Sequence, residues 1–177
     1  MVIMSLELLN CKINPTLDTL DKLNSIHSWI PSSKDIRPNP YVLQEKDRYL
    51  ESIQYNYQSY KDYVLIELFL SNGIFNPLGK LEIEKPEIEN KKLFIENKKL
   101  FIENKFPYLD KPISNHYIMW YSNYIPTDEV ITQDIDENIA NILHHRDYQF
   151  IWYENPKMSI PDIYHVHVFW KSQNKKK

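Results

Sequence analysis

Residues 151–170, IWYENPKMSIPDIYHVHVFW, decide the fold. An aromatic run leads into Glu154-Asn155-Pro156, a turn-rich stretch follows, and Tyr164 to Trp170 make a second apolar run, so the pattern predicts strand, turn, strand. Pro156 and Pro161 suit the loop between them, because a proline inside a central strand removes a ladder hydrogen bond. In the second strand His165 and His167 stand two apart, which puts both imidazoles on one face. Val166 and Val168 take the other face, expected to be core. Burying an imidazole without a partner costs about 1–3 kcal/mol. Taken alone, two half-exposed histidines on a sheet account for this pattern as well as a site does. A second stretch upstream shifts the balance, since Asn115-His116-Tyr117-Ile118-Met119-Trp120-Tyr121 also sets a histidine at the head of an apolar run. Pairing of the two strands would bring three imidazoles to one patch.

Outward from these strands, residues 15–30 read as a helix capped by Thr16, with Leu17, Leu20, Leu23, Ile26 and Ile30 at helical spacing. A proline-fixed loop follows. Helical pattern resumes over residues 41–70, and Ser59 followed by Asp62 resembles a capping box, so two helices broken near Gln58 are expected. The tyrosines of this region are read as packing residues and not as a stacking platform. Residues 71–80, SNGIFNPLGK, hold both glycines of the chain and read as a turn-rich link.

Next comes a seven-residue repeat, KKLFIEN at 91–97 and again at 98–104, preceded by a worn copy at 84–90. Seven is odd, so a strand continued through both copies would put Leu93 and Ile95 on one face and Leu100 and Ile102 on the other. Only one copy fits a half-buried strand in register. The second is chosen because it runs directly into Asn104-Lys105-Phe106-Pro107-Tyr108; the earlier copies are read as a later expansion, looped out or lengthening a hairpin. After the His116 strand, Thr127 caps a helix with acids in its first turn and Ile131, Ile135, Ile139, Ile142 and Leu143 as one apolar stripe. His144, His145 and Arg146 close it as a helix terminus, not as a metal site.

The order of elements makes an α+β domain, with N-terminal helices packed on a mostly antiparallel sheet and one later helix. A single domain is expected over 1–177: a mainly helical half with an N-terminal arm to 80, a strand with its repeat insertion over 81–104, a sheet-and-helix half over 105–170 and a basic tail over 171–177. A net charge of −3 gives no global reason to bind nucleic acid. With Cys11 as the only cysteine, no disulfide within the chain and no cysteine-based zinc site can form. There is no run of 18 apolar residues and no basic leader, so no membrane span is expected and a cytoplasmic location fits, in host cytoplasm or virion if the source is viral. Ile, Lys, Asn and the thirteen Tyr abound while Gly numbers two, the codon bias of an AT-rich genome such as that of a large DNA virus or low-GC microbe. Cofactor and metal are expected to be none, and the oligomeric state is left open.

The second half resembles a domain family of fungi and large DNA viruses typified by the N-acetylglucosamine-induced proteins. The likeness rests on Asn104-Lys105-Phe106-Pro107-Tyr108, on His116 to Trp120, and on Trp152-Tyr153-Glu154-Asn155-Pro156 with His165-Val166-His167-Val168. This chain departs from that family's pattern at Lys105, Phe106 and Tyr164. More distantly, Tyr164-His165-Val166-His167-Val168-Phe169, with Asn155 and Ser159 upstream, resembles the signature strand of the histidine-triad nucleotide-binding proteins. That resemblance implies a HIT-like sheet, with His167 as the nucleophile toward a phosphate and His165 as its orienting neighbour. Phe169 stands where the family's third histidine would be, and Ser159 lies further from His165 than the pattern requires. Loss of one donor to the reacting phosphate costs about 2.7–4 kcal/mol of barrier, a deficit that His116 on the adjacent strand is placed to offset.

Three readings follow. The first is a protein binding a phosphate ester, nucleotide or nucleotide sugar, with weak or absent turnover; if active it is a histidine-dependent nucleotide hydrolase or transferase. Its candidate residues are His116, His165 and His167, with Asn155 and Ser159 as hydrogen-bonding groups and Trp120 and Trp152 as an apolar wall. A contact between His167 and phosphate is expected to weaken as pH rises past a histidine pKa near 6.5, because an imidazolium loses its charge. The second is a non-catalytic interaction or scaffold protein whose histidines are satisfied sheet residues. A two-histidine phosphodiesterase ranks last, since Ile118 and Phe169 stand where its hydroxyl residues belong.

Overall fold

The structure, a computed structural model, describes residues 40–84, 97–108, 115–144, 147–155 and 158–172. The expected helix over 15–30, Cys11, the first two repeat copies but for Glu84 and Asn97, the His145-Arg146 pair, Pro156 and residues 173–177 of the basic tail lie outside these residues, while Lys171 and Ser172 of that tail end the last strand. Helix α1 spans Pro40–Asn56, and α2 spans Tyr60–Tyr63 and runs straight into a π-helical turn, Val64–Leu68. The break falls where the sequence places it: Ser59 is extended and its hydroxyl accepts the Asp62 N–H at 3.1 Å, satisfying a donor the helix start leaves open. Wide-turn bonding ends this segment, with Ser71 N–H donating to Leu65 O at 2.9 Å.

The turn-rich link after α2 holds a small hairpin that periodicity does not reveal, β1 Gly73–Phe75 paired antiparallel with β2 Leu81–Ile83. Each strand has three residues, too short for an alternation to be read. Asn76 organises its turn, its side-chain oxygen accepting the N–H groups of Leu78 and Lys80, while Gly79 takes φ +74°, a left-handed value that favours glycine. The Asp62 carboxylate accepts the Ile83 N–H at 2.9 Å and ties this hairpin to α2.

The main sheet has four antiparallel strands in the order β3 (Lys99–Glu103), β4 (Asn115–Tyr121), β6 (His165–Ser172), β5 (Tyr148–Tyr153). The second repeat copy therefore forms the strand, and Leu100 and Ile102 lie opposite Trp120 and Ile118 on one face. Strands β5 and β6 make the hairpin expected around Asn155 to Asp162, with Pro161 in the exposed turn. Helix α3, Asp128–Leu143, connects β4 to β5 across one face of the sheet. Thr127 caps it by accepting the Val130 N–H, and His144 closes it in the left-handed conformation at φ 56°.

A period of two then sorts every strand residue between two layers. On the α3 side, Met119, Val166, Val168, Phe150, Trp152 and Trp170 pack on Ile131, Ile135 and Ile139. On the other side, Trp120 and Ile118 with Leu100 and Ile102 meet Val64 and Leu65 of the π turn. The sheet is thus covered on both faces, and the histidine face, half-exposed in only one of the two sequence readings, is buried. Ile142 departs from the expected apolar stripe: it shares the angular position of 131 and 135 but is 45 % exposed, in the last turn of a helix that ends at Leu143. Ile135→Ala is expected to lower unfolding free energy by about 2–5 kcal/mol, and Ile142→Ala to change it by no more than about 0.5 kcal/mol. Paired denaturant titrations check this; equal losses would mean that the stripe is wrongly assigned.

Candidate functional site

Strand register places the histidines. In the β4–β6 pair, His116 lies opposite Phe169, Ile118 opposite His167 and Trp120 opposite His165, so all six side chains share the face away from α3. On β5, Tyr153 lies opposite His167. Each imidazole is stacked on an aromatic ring: His116 on Phe169 at 4.2 Å between ring centres, His165 on Trp120 at 4.3 Å, His167 between Tyr153 and Tyr108 at 5.3 Å from each. The three histidines are at least 94 % buried. Their rings form a row, with centres 5.1 Å apart from His116 to His167 and 6.1 Å from His167 to His165.

Hydrogen bonds fix where the protons sit. The Tyr108 backbone N–H donates to His116 Nδ1 at 3.1 Å, and a backbone amide has no other role open to it. His116 Nδ1 is therefore the lone-pair nitrogen, and the proton of the neutral ring is on Nε2. That Nε2–H donates to His167 Nδ1 at 2.8 Å. In turn His167 accepts at Nδ1 and carries its own proton on Nε2. Asn104 braces the first ring: its carbonyl oxygen accepts the Phe106 N–H at 3.0 Å, which turns its amide nitrogen onto His116, 3.3 Å from Nδ1 and 3.1 Å from Nε2. With Nε2 protonated toward His167, only Nδ1 can accept from that amide, sharing its lone pair with the Tyr108 N–H. His165 is set the opposite way. Its Nδ1–H donates to the Ile163 carbonyl at 2.8 Å, which leaves the lone pair on Nε2. Two neighbouring imidazoles thus hold fixed, opposite tautomers, assigned from their partners.

Burial keeps all three neutral. His116 lies well below the usual histidine range through desolvation and then the neighbouring His167. His167 is pushed down to about 3 by burial, with His165 and Lys46 adding to the shift. Burial also lowers His165, against the opposing pull of the Ile163 carbonyl. The imidazolium-to-phosphate contact expected from sequence, with its pH dependence near 6.5, is corrected on this ground: no charge resides on these rings at neutral pH.

His165 and His167 open onto a cavity of about 320 Å³ between this sheet face and α1. Its apolar wall includes Tyr49, Leu50 and Ile53 of α1, Tyr63, Ile118 and Trp120. Its charged groups, Lys46, Glu103 and Lys105, are partly or fully exposed, whereas its polar floor is buried. Lys105 bends back so that its ammonium lies 3.6 Å from the centre of the Tyr49 ring, a cation–π contact joining the β3–β4 connection to α1.

Of the residues singled out from sequence, Asn155, Ser159, Trp120, His165 and His167 line this cavity together. His116 does not; it stands behind His167 and sets its proton. Trp152 is not part of the wall. It lies opposite Val168 on the α3 side of the sheet, where its indole N–H donates to Thr132 Oγ1 at 3.0 Å. Asn104, Tyr108, Lys46 and Tyr49 belong to the site and were not singled out. A signal for two of them existed: 46, 49, 50 and 53 follow helical spacing, which sets Lys46 one turn before an apolar stripe. Among the described residues, no three His, Cys, Asp or Glu side chains are placed to hold a metal ion. His116 and His167 point nitrogens at each other and not at a common centre.

Comparison with family models, with curated proteins and with solved structures returns no match.

The neutral histidines link stability to pH. A histidine whose folded pKa is depressed binds a proton in the unfolded chain and none in the folded one between the two values. Stability therefore falls as pH drops below about 6.5, by up to about 1.4 kcal/mol per pH unit for each such group. For His167 this window runs down to about 3. His167→Gln, whose carbonyl can still accept the His116 proton, is expected to unfold with a shallower dependence between pH 6 and pH 5. Denaturant midpoints across that range check it, and an unchanged slope would mean that His167 is charged in the folded chain.

Proposed function

We propose that this chain binds a small phosphate-bearing ligand of the nucleotide or nucleotide-sugar class in the cavity above His165 and His167, and turns it over weakly or not at all. The volume of about 320 Å³ and the aromatic lining suit a ring system, since ligand sites are concave, largely apolar and carry few polar groups. Lys46 and Lys105 supply positive charge at the more exposed part of the wall, where a phosphate keeps part of its hydration.

One observation favours binding over turnover. A nucleophilic imidazole attacks through a nitrogen lone pair. His167, the residue matching a histidine-triad nucleophile, accepts at Nδ1 from His116 and so presents a proton at Nε2. It is a hydrogen-bond donor toward the cavity. Reversing it would require moving the proton of His116 against a backbone N–H. The same relay makes His167 a positioned recognition group.

Calorimetry with nucleotides and pyrophosphate-linked nucleotide sugars tests this on the wild type and His167→Ala, with product analysis of the same mixtures. At least one of these ligands is expected to bind, more weakly to the variant by tenfold or more, which is about 1.4 kcal/mol. For a nucleotide sugar, whose phosphates stay ionised, affinity is expected to change less than about threefold from pH 6 to pH 8, because His167 titrates near 3. No binder in the panel, or affinity indifferent to His167, would leave an interaction protein with satisfied core histidines. Rapid phosphate-ester cleavage would overturn the assignment of His167 as donor.

A further inference from the structure

We propose that His165 and His167 together read a lactam edge on the ligand's heterocycle, a ring carbonyl beside a ring N–H, with His167 Nε2–H donating to the carbonyl and His165 Nε2 accepting the N–H. This deepens the nucleotide reading above and rests on it. The proposal follows from the two tautomers being fixed from outside the cavity and in opposite senses. His165 is held by the Ile163 carbonyl and His167 by His116, which is itself held by the Tyr108 amide. Neither outer nitrogen is engaged by a described residue, and both rings line the cavity with centres 6.1 Å apart. One donor and one acceptor, side by side and unable to exchange roles, make a directional pair.

A phosphate does not fit this pair. Its oxygens accept at every position, so one of them would face the lone pair of His165 Nε2. Phosphate therefore belongs with Lys46 and Lys105, and the ring of the ligand with the histidines. The pair is complementary both to a lactam and to an amidine edge, in which a ring nitrogen accepts and an exocyclic amine donates. A buried donor beside the pair separates them. Trp120, stacked on His165 at 4.3 Å, has an indole N–H that is buried without a partner among the described residues. A carbonyl has a second lone pair to offer a further donor, whereas an exocyclic amine brings a second proton that finds none. Of these three groups, His167 and Trp120 donate and His165 accepts, and the lactam supplies the matching acceptors.

Sites built to hydrogen-bond a buried ligand group discriminate strongly against analogues lacking it, because the protein's own polar atoms are then stranded. The test is calorimetry on the intact chain with uridine and inosine 5′-monophosphates, their 3-methyl and 1-methyl derivatives, and cytidine and adenosine 5′-monophosphates. The expected result is that uridine or inosine monophosphate binds, that N-methylation weakens it at least a hundredfold, and that its amino counterpart binds at least tenfold more weakly. His165→Phe keeps the ring stacked on Trp120 but removes the acceptor; it is expected to abolish the discrimination between parent and N-methyl ligand while circular dichroism stays unchanged. Equal binding of parent and N-methyl nucleotides overturns the lactam reading and leaves nucleotide binding intact, as does tighter binding of cytidine or adenosine monophosphate. Failure of all six to bind overturns the lactam reading, and failure of the nucleotide sugars as well overturns the nucleotide reading with it.

Discussion

A single backbone amide governs the chemistry of this molecule. The Tyr108 N–H donates to His116 Nδ1, and because an amide can only donate, the choice is passed through two imidazoles to the cavity wall. Without that amide, the His116–His167 bond would run equally well in either direction, and His167 would alternate between donor and acceptor. The segment supplying it also shapes the site: Asn104 braces His116, Lys105 crosses to Tyr49, and the Tyr108 ring covers His167. One short connection between β3 and β4 thereby fixes a tautomer, closes a wall and links the sheet to α1.

Burying three imidazoles on one sheet face is costly, and the fold offsets the cost in two ways. Each ring has a hydrogen-bond partner for at least one nitrogen, and each is stacked on an aromatic ring from a neighbouring strand or connection. Stacked and edge-on aromatic pairs contribute about 0.5–1.5 kcal/mol beyond the area they bury. The opposite face carries a cheaper solution to the same problem of polarity, with the buried carboxylate of Asp134 meeting the Lys99 ammonium and the Tyr121 hydroxyl. That cluster sits among α3 contacts and is occupied on each side, whereas the histidine row ends at a void. The difference separates a structural polar cluster from a candidate site.

Much of the fold was legible because it depends on period and punctuation. The odd length of the KKLFIEN repeat permits only one copy in β3, and Ser59 and Thr127 mark helix starts through short side-chain oxygens. Shared faces within one strand were legible too: His165 with His167, and His116 with Trp120, differ by even numbers. Across strands the sequence is silent on register, which is why Trp152 was wrongly assigned. Tyr153, one residue on, is the side chain opposite His167, and Asn155 follows it with the same parity into the cavity. The tautomers were out of reach of sequence altogether. They depend on where one amide of a connecting segment lands, and on a carbonyl two residues before His165, neither of which has a side-chain signature.

The proton arrangement is the claim on which binding, lack of turnover and edge recognition all rest, and it is directly observable. Long-range proton–nitrogen correlation spectra of uniformly nitrogen-15-labelled protein at pH 7 separate protonated from lone-pair imidazole nitrogens. The account predicts protonation at Nε2 of His116 and His167 and at Nδ1 of His165, with all three rings neutral. A His167 protonated at Nδ1, or any of the three rings doubly protonated at that pH, would contradict it.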